Sequence, residues 1–202
     1  MNRDDTRSAG TRSFASRLSG TGPRFSRPLL GLAAISFAAG LLSGGAIYLD
    51  RSPQPQIHVA GTSAWGPHLV LFVLAVASVT YLIRRHGLSP TVFLAPVGHG
   101  AAQRLTRTVR SIPTHPTALL RLLLAVMPMA VLVYSPYRIG VQILAGLDPN
   151  FTANAWGGPS YPGAMACHYL DAALLIAVSA YLLHRLLLPA GPGKQADPGP
   201  QR

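Results

Sequence analysis

The sequence predicts an all-α, polytopic integral membrane protein with four transmembrane helices, and three observations support this fold class. Several apolar runs approach the ~20 residues that a helix needs to cross a bilayer. Charged residues make up only 11% of the chain and hydrophobic residues 49%, which leaves too little polar surface for a water-soluble globule. Arginines cluster before and between the apolar runs, where they would set the orientation in a membrane.

The apolar runs define a transmembrane domain at 29–188 with a polar segment on each side. Residues 1–28 and 189–202 lack an apolar period and are rich in small or polar residues and proline, so both segments are predicted to be disordered. The first span follows a long polar leader and precedes no small-residue cleavage site, so we interpret it as an uncleaved anchor. The predicted spans are 29–49, 67–83, 118–134 and 163–188.

The distribution of Lys and Arg predicts that both termini lie in the cytoplasm. Six arginines lie at 1–28 and five at 84–117, and three Lys or Arg residues lie from Arg185 onward. The other two connections carry one each, Arg51 and Arg138. Because cytoplasmic loops are enriched in Lys and Arg, we expect an N-in, C-in topology.

Ser36, Gly40 and Gly44 recur every four residues in the first span and therefore share one face of the helix. Small residues at this spacing allow the backbone of another helix to approach closely. We expect this face to contact another helix. The alternative is that Gly and Ala are simply common in membrane helices.

The segment at 86–117 contains a candidate amphipathic helix, AAQRLTRTVRSI, with arginines on one side and apolar residues on the other. This pattern favours a short helix in the cytoplasmic headgroup layer, and a solvated loop is the alternative. We expect contacts with anionic lipid headgroups from five arginines of the connection: Arg84, Arg85, Arg104, Arg107 and Arg110.

The third span is predicted to end at Tyr134, because Ser135 and Pro136 interrupt the helical pattern. The moderately apolar stretch 137–147 carries Arg138 and is predicted to form a separate interfacial or re-entrant helix.

The strongest candidate for a functional residue is Asp171, the acidic residue deep in the last apolar run. A carboxylate in mid-membrane costs about 2.5 to 3.5 kcal/mol on insertion scales, so it must face protein or water or take up a proton. At comparable depth the predicted topology places His168, His68 and Arg138. We expect these four residues to form a polar cluster that opens to the outside, as a ligand or proton site.

Three other interpretations of this region were weighed. Asp171 and His168 can serve only to fix helix packing by hydrogen bonds. A metal site with Cys167 is disfavoured because neighbouring side chains on one helix diverge by about 100°, and a haem between His68 and His168 is geometrically possible. We expect no metal and no bound cofactor.

The sequence contains no catalytic motif of the common soluble enzymes and predicts no catalytic residue. The favoured interpretation is an accessory or interaction subunit of a membrane assembly, with self-association possible. The alternatives are a small transporter or proton-coupled permeation protein that uses Asp171, and a membrane redox protein linked to haem or quinone. Despite the net charge of +11, we expect anionic lipids and no nucleic acid as partners, in a bacterial inner membrane.

Overall fold

The computed structural model describes residues 25–86 and 90–190, and this part of the chain is helical without strands. The long helices are α1 (Arg27–Leu49), α2 (Trp65–His86), α4 (Pro116–Ala145) and α5 (Tyr161–Leu186). The shorter elements are a 3-10 helix (Pro90–Val97), α3 (His99–Arg110) and a one-turn helix (Pro149–Thr152). The predicted disorder of 1–24 and 191–202 lies outside the described residues.

Four of these helices, α1, α2, α4 and α5, are long and apolar enough to cross a membrane. The predicted class of multi-pass, all-helical membrane protein is therefore confirmed at that level. Each helix begins two residues before the predicted span, and α1, α4 and α5 carry a proline in their first two positions. The backbone N–H groups of a helix's first turn have no partner within the helix, so proline, which has no N–H, is well tolerated there. These helices can therefore begin before the first apolar residue.

The predicted break after Tyr134 is wrong, because α4 runs through Pro136 to Ala145 as one helix of 30 residues. Pro136 removes one backbone donor from the helix and crowds the preceding turn. Two hydroxyls bind carbonyls of that turn: Ser36 of α1 donates to Val133, and Ser135 donates to Val131. The carbonyl that loses its helical donor to Pro136 is that of Leu132, and these hydroxyls bind the carbonyls on either side of it. Nearby hydroxyl groups of this kind help membrane helices to accommodate an internal proline. The stretch 137–145 therefore continues α4 and is not a separate helix.

α1 and α4 form the most intimate contact of the fold. A Cβ atom at Gly40 would overlap the Tyr137 carbonyl, and one at Gly44 would overlap the Val141 carbonyl. Ser36 and Val133, which are in contact, are 97 positions apart in the sequence. The glycines and the carbonyls that they approach, those of Tyr137 and Val141, are separated by the same number of positions. A constant offset means that both helices run in the same direction.

The four long helices form a row rather than a closed bundle, in the order α1, α4, α5, α2. α5 packs antiparallel to α4, as shown by the pairs Arg138 with His168 and Arg121 with Leu186. Among the described residues, α5 is the long helix against which α2 packs most, and no comparable contact joins α1 to α2. These contacts support four long helices packed in sequence and do not show a four-helix bundle.

Two connections lie over one end of the row. The Asn150 side chain binds the backbone of the 50–64 connection through Ser52, Gln54 and Gln56, at 2.7 to 3.0 Å. Two further bonds join Val59 N–H to the Asn154 side chain and Ala64 N–H to the Trp156 carbonyl. We call this the capped end, and the arginine distribution predicts that it faces outward.

At the opposite end, the predicted amphipathic helix exists as α3 and contacts the end of α5. Three arginines donate to carbonyls there: Arg104 to His184, Arg107 to Pro189, and Arg121 of α4 to Leu186. The buried Thr108 hydroxyl accepts the Leu188 N–H at 3.0 Å. Cationic side chains are favourable at a helix C-terminus, where carbonyls lack partners, so these contacts attach α3 to the end of α5.

Candidate functional site

The site begins with a contact between α2 and α5 near the capped end. His68 Nε2 lies 3.4 Å from one carboxylate oxygen of Asp171 and 3.5 Å from the other. His68 lies in the first turn of α2, whereas Asp171 lies in the third turn of α5. The side chains are 7% and 16% exposed, so the pair is largely shielded but keeps access to the surface.

The hydrogen bonds of His68 determine where its protons lie. Nδ1 lies 2.8 Å from the Ala64 carbonyl oxygen, which can only accept, so Nδ1 carries a hydrogen. Nε2 then faces the carboxylate, and one further proton can lie between the two groups. That proton lies either on Nε2, giving an imidazolium and a carboxylate, or on Asp171, giving a neutral pair. In this geometry the pair has room for one proton between the two groups.

A second contact joins α4 to α5 through Arg138 and His168. The Arg138 Nη2 lies 3.2 Å from His168 Nδ1. Because a guanidinium can only donate, His168 accepts at Nδ1 and carries its hydrogen on Nε2. His168 is thus neutral in this arrangement and lies within electrostatic range of Asp171 and His68.

Trp156, from the connection before α5, joins the two contacts. The centroid of its ring lies 5.5 Å from that of His68 and 6.4 Å from that of His168. Its placement follows from Gly157, where a Cβ atom would overlap the Gly163 carbonyl. This close approach holds the connection against α5 and sets the indole against both imidazoles.

The structure thus brings the four predicted residues together as two adjacent pairs around an indole. His68 pairs with Asp171, and His168 pairs with Arg138. The sequence predicted Trp156 only as an interfacial residue, since tryptophan is common at membrane surfaces. Trp156 directly precedes Gly157 and Gly158, and this pair of glycines was the sequence signal for a close approach between the connection and α5.

The geometry gives little support to the metal and haem alternatives. Within 25–86 and 90–190, no three His, Cys, Asp or Glu residues group as a set of metal ligands. Both ring nitrogens of His68 already have protein partners, Ala64 and Asp171. A haem between His68 and His168 would also have to displace Trp156 from its place against both rings.

The arginines predicted to contact lipid lie at the other end of the molecule. Arg84 and Arg85 end α2 about 25 Å from His68, at 1.5 Å per residue, and the guanidinium of Arg85 lies near the Tyr81 ring. Arg104 and Arg107 each use one N–H on a carbonyl of the C-terminal end of α5, and Arg110 is exposed. These side chains retain further donors for phosphate groups.

No protein-family model, curated protein or solved structure matches the chain.

Proposed function

We propose that this is a small membrane protein that couples the permeation of a solute to a proton held by His68 and Asp171. The observation that carries this proposal is the one-proton arrangement at the capped end. His68 Nδ1 donates to the Ala64 carbonyl, so Nε2 and the carboxylate are the two groups that can share a proton. Ionisable residues within membrane helices commonly form proton relays.

The pair is suited to proton exchange because its contact is loose. The distances of 3.4 and 3.5 Å exceed the usual 2.7 to 3.2 Å of an N–H to O hydrogen bond. Asp171 also keeps some exposure, so a proton can leave without unfolding of the helices. A tight, fully buried ion pair would instead hold its charge state and serve packing alone.

Proton occupancy would also control how α2 is attached. His68 is the one buried residue of α2 among those whose exposure is described. Loss of the shared proton would place the lone pair of Nε2 against a carboxylate, which is repulsive. We propose that deprotonation loosens α2 from α5 at the capped end and that this movement opens the path for the solute.

Proteoliposomes that contain a pH dye test the coupling. Inward gradients of carboxylates, amines, amino acids or sugars are applied in turn, and protein-free liposomes define the background. For the coupled solute, wild type should change the internal pH beyond background. Asp171→Asn should reduce this excess, because the amide can still hydrogen-bond His68 but cannot take up the proton, which leaves the imidazole as its one remaining site.

Asp50→Asn is the matched control, since it removes one exposed carboxylate at the end of α1. This variant should retain the excess pH change of wild type. An Asp171→Asn protein with undiminished solute-dependent pH change would overturn the proposal. So would a wild type that stays at background with every solute class.

A role as an accessory subunit of a membrane assembly is the second candidate, and the packing of α2 favours it. Apolar side chains along α2, such as Phe72, Val73 and Leu74, are more than half exposed. Such a helix has room for a helix of another chain or of a second copy, although lipid also covers apolar side chains.

Disulfide crosslinking in native membranes tests this role. Leu74→Cys is introduced together with Cys167→Ser, which removes the single native cysteine. An assembly through α2 predicts a discrete crosslinked product, and Ile35→Cys on exposed α1 is the matched control. Equal crosslinking at both positions, or none at Leu74, would contradict a specific α2 interface between two copies of the chain.

A further inference from the structure

We infer that Arg138 and His168 form a binding site for a small monocarboxylate, and that this anion is the solute that accompanies the proton. The inference rests on the proposed function and identifies its solute class. It starts from the pair next to the proton site, whose hydrogen-bonding capacity is only partly used.

Arg138 is a half-buried cation without a carboxylate partner in the described part of the chain. The contact within 4.0 Å between a basic and an acidic side chain there is that of His68 and Asp171. Arg138 makes one hydrogen bond, to His168. A guanidinium has five N–H donors in a planar fork that matches a carboxylate, so most of this capacity remains for a ligand.

His168 supplies a second donor beside the first. Because its Nδ1 accepts from Arg138, its Nε2 carries a hydrogen that can be donated. The Trp156 ring, 51% exposed, lies against both imidazoles and provides a flat apolar surface near these donors. An anionic head group with a small apolar body fits this combination of donors and aromatic surface.

The charge balance links the anion to the proton. With the proton present, the His68–Asp171 pair has no net charge and Arg138 leaves one positive charge on the cluster. Without the proton, the pair carries one negative charge and the cluster becomes neutral. The nearby titratable groups are Cys167 and His168 on α5. Thiol and imidazole are neutral in both states, so proton loss should weaken anion binding.

The same balance selects a monoanion. One positive charge offsets one carboxylate, whereas a phosphate dianion would leave an unbalanced negative charge in a poorly hydrated site. Since anion and proton favour each other, they would bind and leave together. The site therefore fits a neutral pair of a proton and a carboxylate, which is the form that crosses a membrane at least cost.

Fluorescence of Trp156 provides a direct binding test. Trp65→Phe leaves Trp156 as the single tryptophan of the chain, and this protein in nanodiscs is titrated with benzoate and propionate. We expect a saturable change in emission, stronger at low pH. Arg138→Gln should weaken binding about 10- to 100-fold through loss of a charged hydrogen-bond donor, and Arg138→Lys should weaken it less because the charge remains.

Arg110→Gln, at the opposite end of the molecule, is the matched control and should bind as tightly as the parent. At high pH, where the parent pair has lost its proton, Asp171→Asn should bind benzoate more tightly than the parent, because the cluster then keeps the positive charge of Arg138. Absence of saturable binding, unchanged affinity in Arg138→Gln, or equal competition by chloride would each overturn the inference. If these occur while another solute class still drives Asp171-dependent pH change, the proposed function stands and the carboxylate assignment alone fails.

Discussion

Asp171 illustrates how far a single residue can be predicted from sequence. Its cost in lipid made it a candidate, and its depth matched that of His68, His168 and Arg138 on other spans. The pairing itself was not predictable, because it depends on which helices become neighbours. The position of the hydrogen on His68 could not be predicted either, because it depends on the contact between Nδ1 and the Ala64 carbonyl.

Gly40 shows the opposite case, where a local pattern indicated the structural role. The spacing of small residues predicted a close helix contact, and a Cβ atom there would overlap backbone rather than a flexible side chain. Backbone cannot move aside as a side chain can. The identity of the opposing helix, α4, depends on long-range packing and was not contained in the spacing.

Gly40→Val is predicted to destabilise the protein by about 1 to 3 kcal/mol, the usual cost of overpacking a tight contact. Unfolding in mixed detergent micelles measures this change. Gly31→Val is the matched control, because nothing lies within 4 Å of a Cβ atom at Gly31. Equal losses in both variants would mean that the substitution acts through helix propensity and not through the contact with α4.

At the scale of the elements, α4 is where the sequence misleads. Pro136 is a strong local signal for a helix end in water, and 118–134 is already close to bilayer length. The Ser36 hydroxyl, which binds the Val133 carbonyl in the turn before Pro136, comes from a residue 97 positions away from Val133. No window along the sequence contains both partners, so the continuation of α4 follows from tertiary contacts.

Ser36→Ala is predicted to cost about 0.6 to 2 kcal/mol, the range for hydrogen bonds between membrane helices. If the hydroxyl compensates for Pro136, the same change should cost less in a Pro136→Ala background, where the turn is regular. A double-mutant cycle of unfolding free energies measures the difference. Additive effects of the two substitutions would show that Ser36 and Pro136 act independently.

At the scale of the whole molecule, the number of spans was predictable and their arrangement was not. Length and hydropathy determine which segments can cross a bilayer. The predicted starts of the four spans lie within two residues of the starts of the four helices. The row of helices depends on which faces fit together. α1 and α4 are parallel, as required if they cross in the same direction.

The predicted topology places the capped end outside the cell. Reporters fused after residue 60 or residue 155 should therefore be active only as external fusions, because both connections are poor in Lys and Arg. A fusion after residue 115 is the control and should report a cytoplasmic position. A cytoplasmic signal from either outer fusion would mean that the capped end faces the cytoplasm and that the site exchanges protons with the cell interior.

The separation between α1 and its partner also has a consequence for biogenesis. The residues in contact are 97 positions apart, and ribosomes add roughly 5 to 20 residues per second. The nascent α1 therefore remains without its partner helix for about 5 to 20 s, until α4 is synthesised. During this time its glycine face contacts lipid or the insertion machinery. Elongation speed across the intervening codons should accordingly influence the yield of correctly assembled protein.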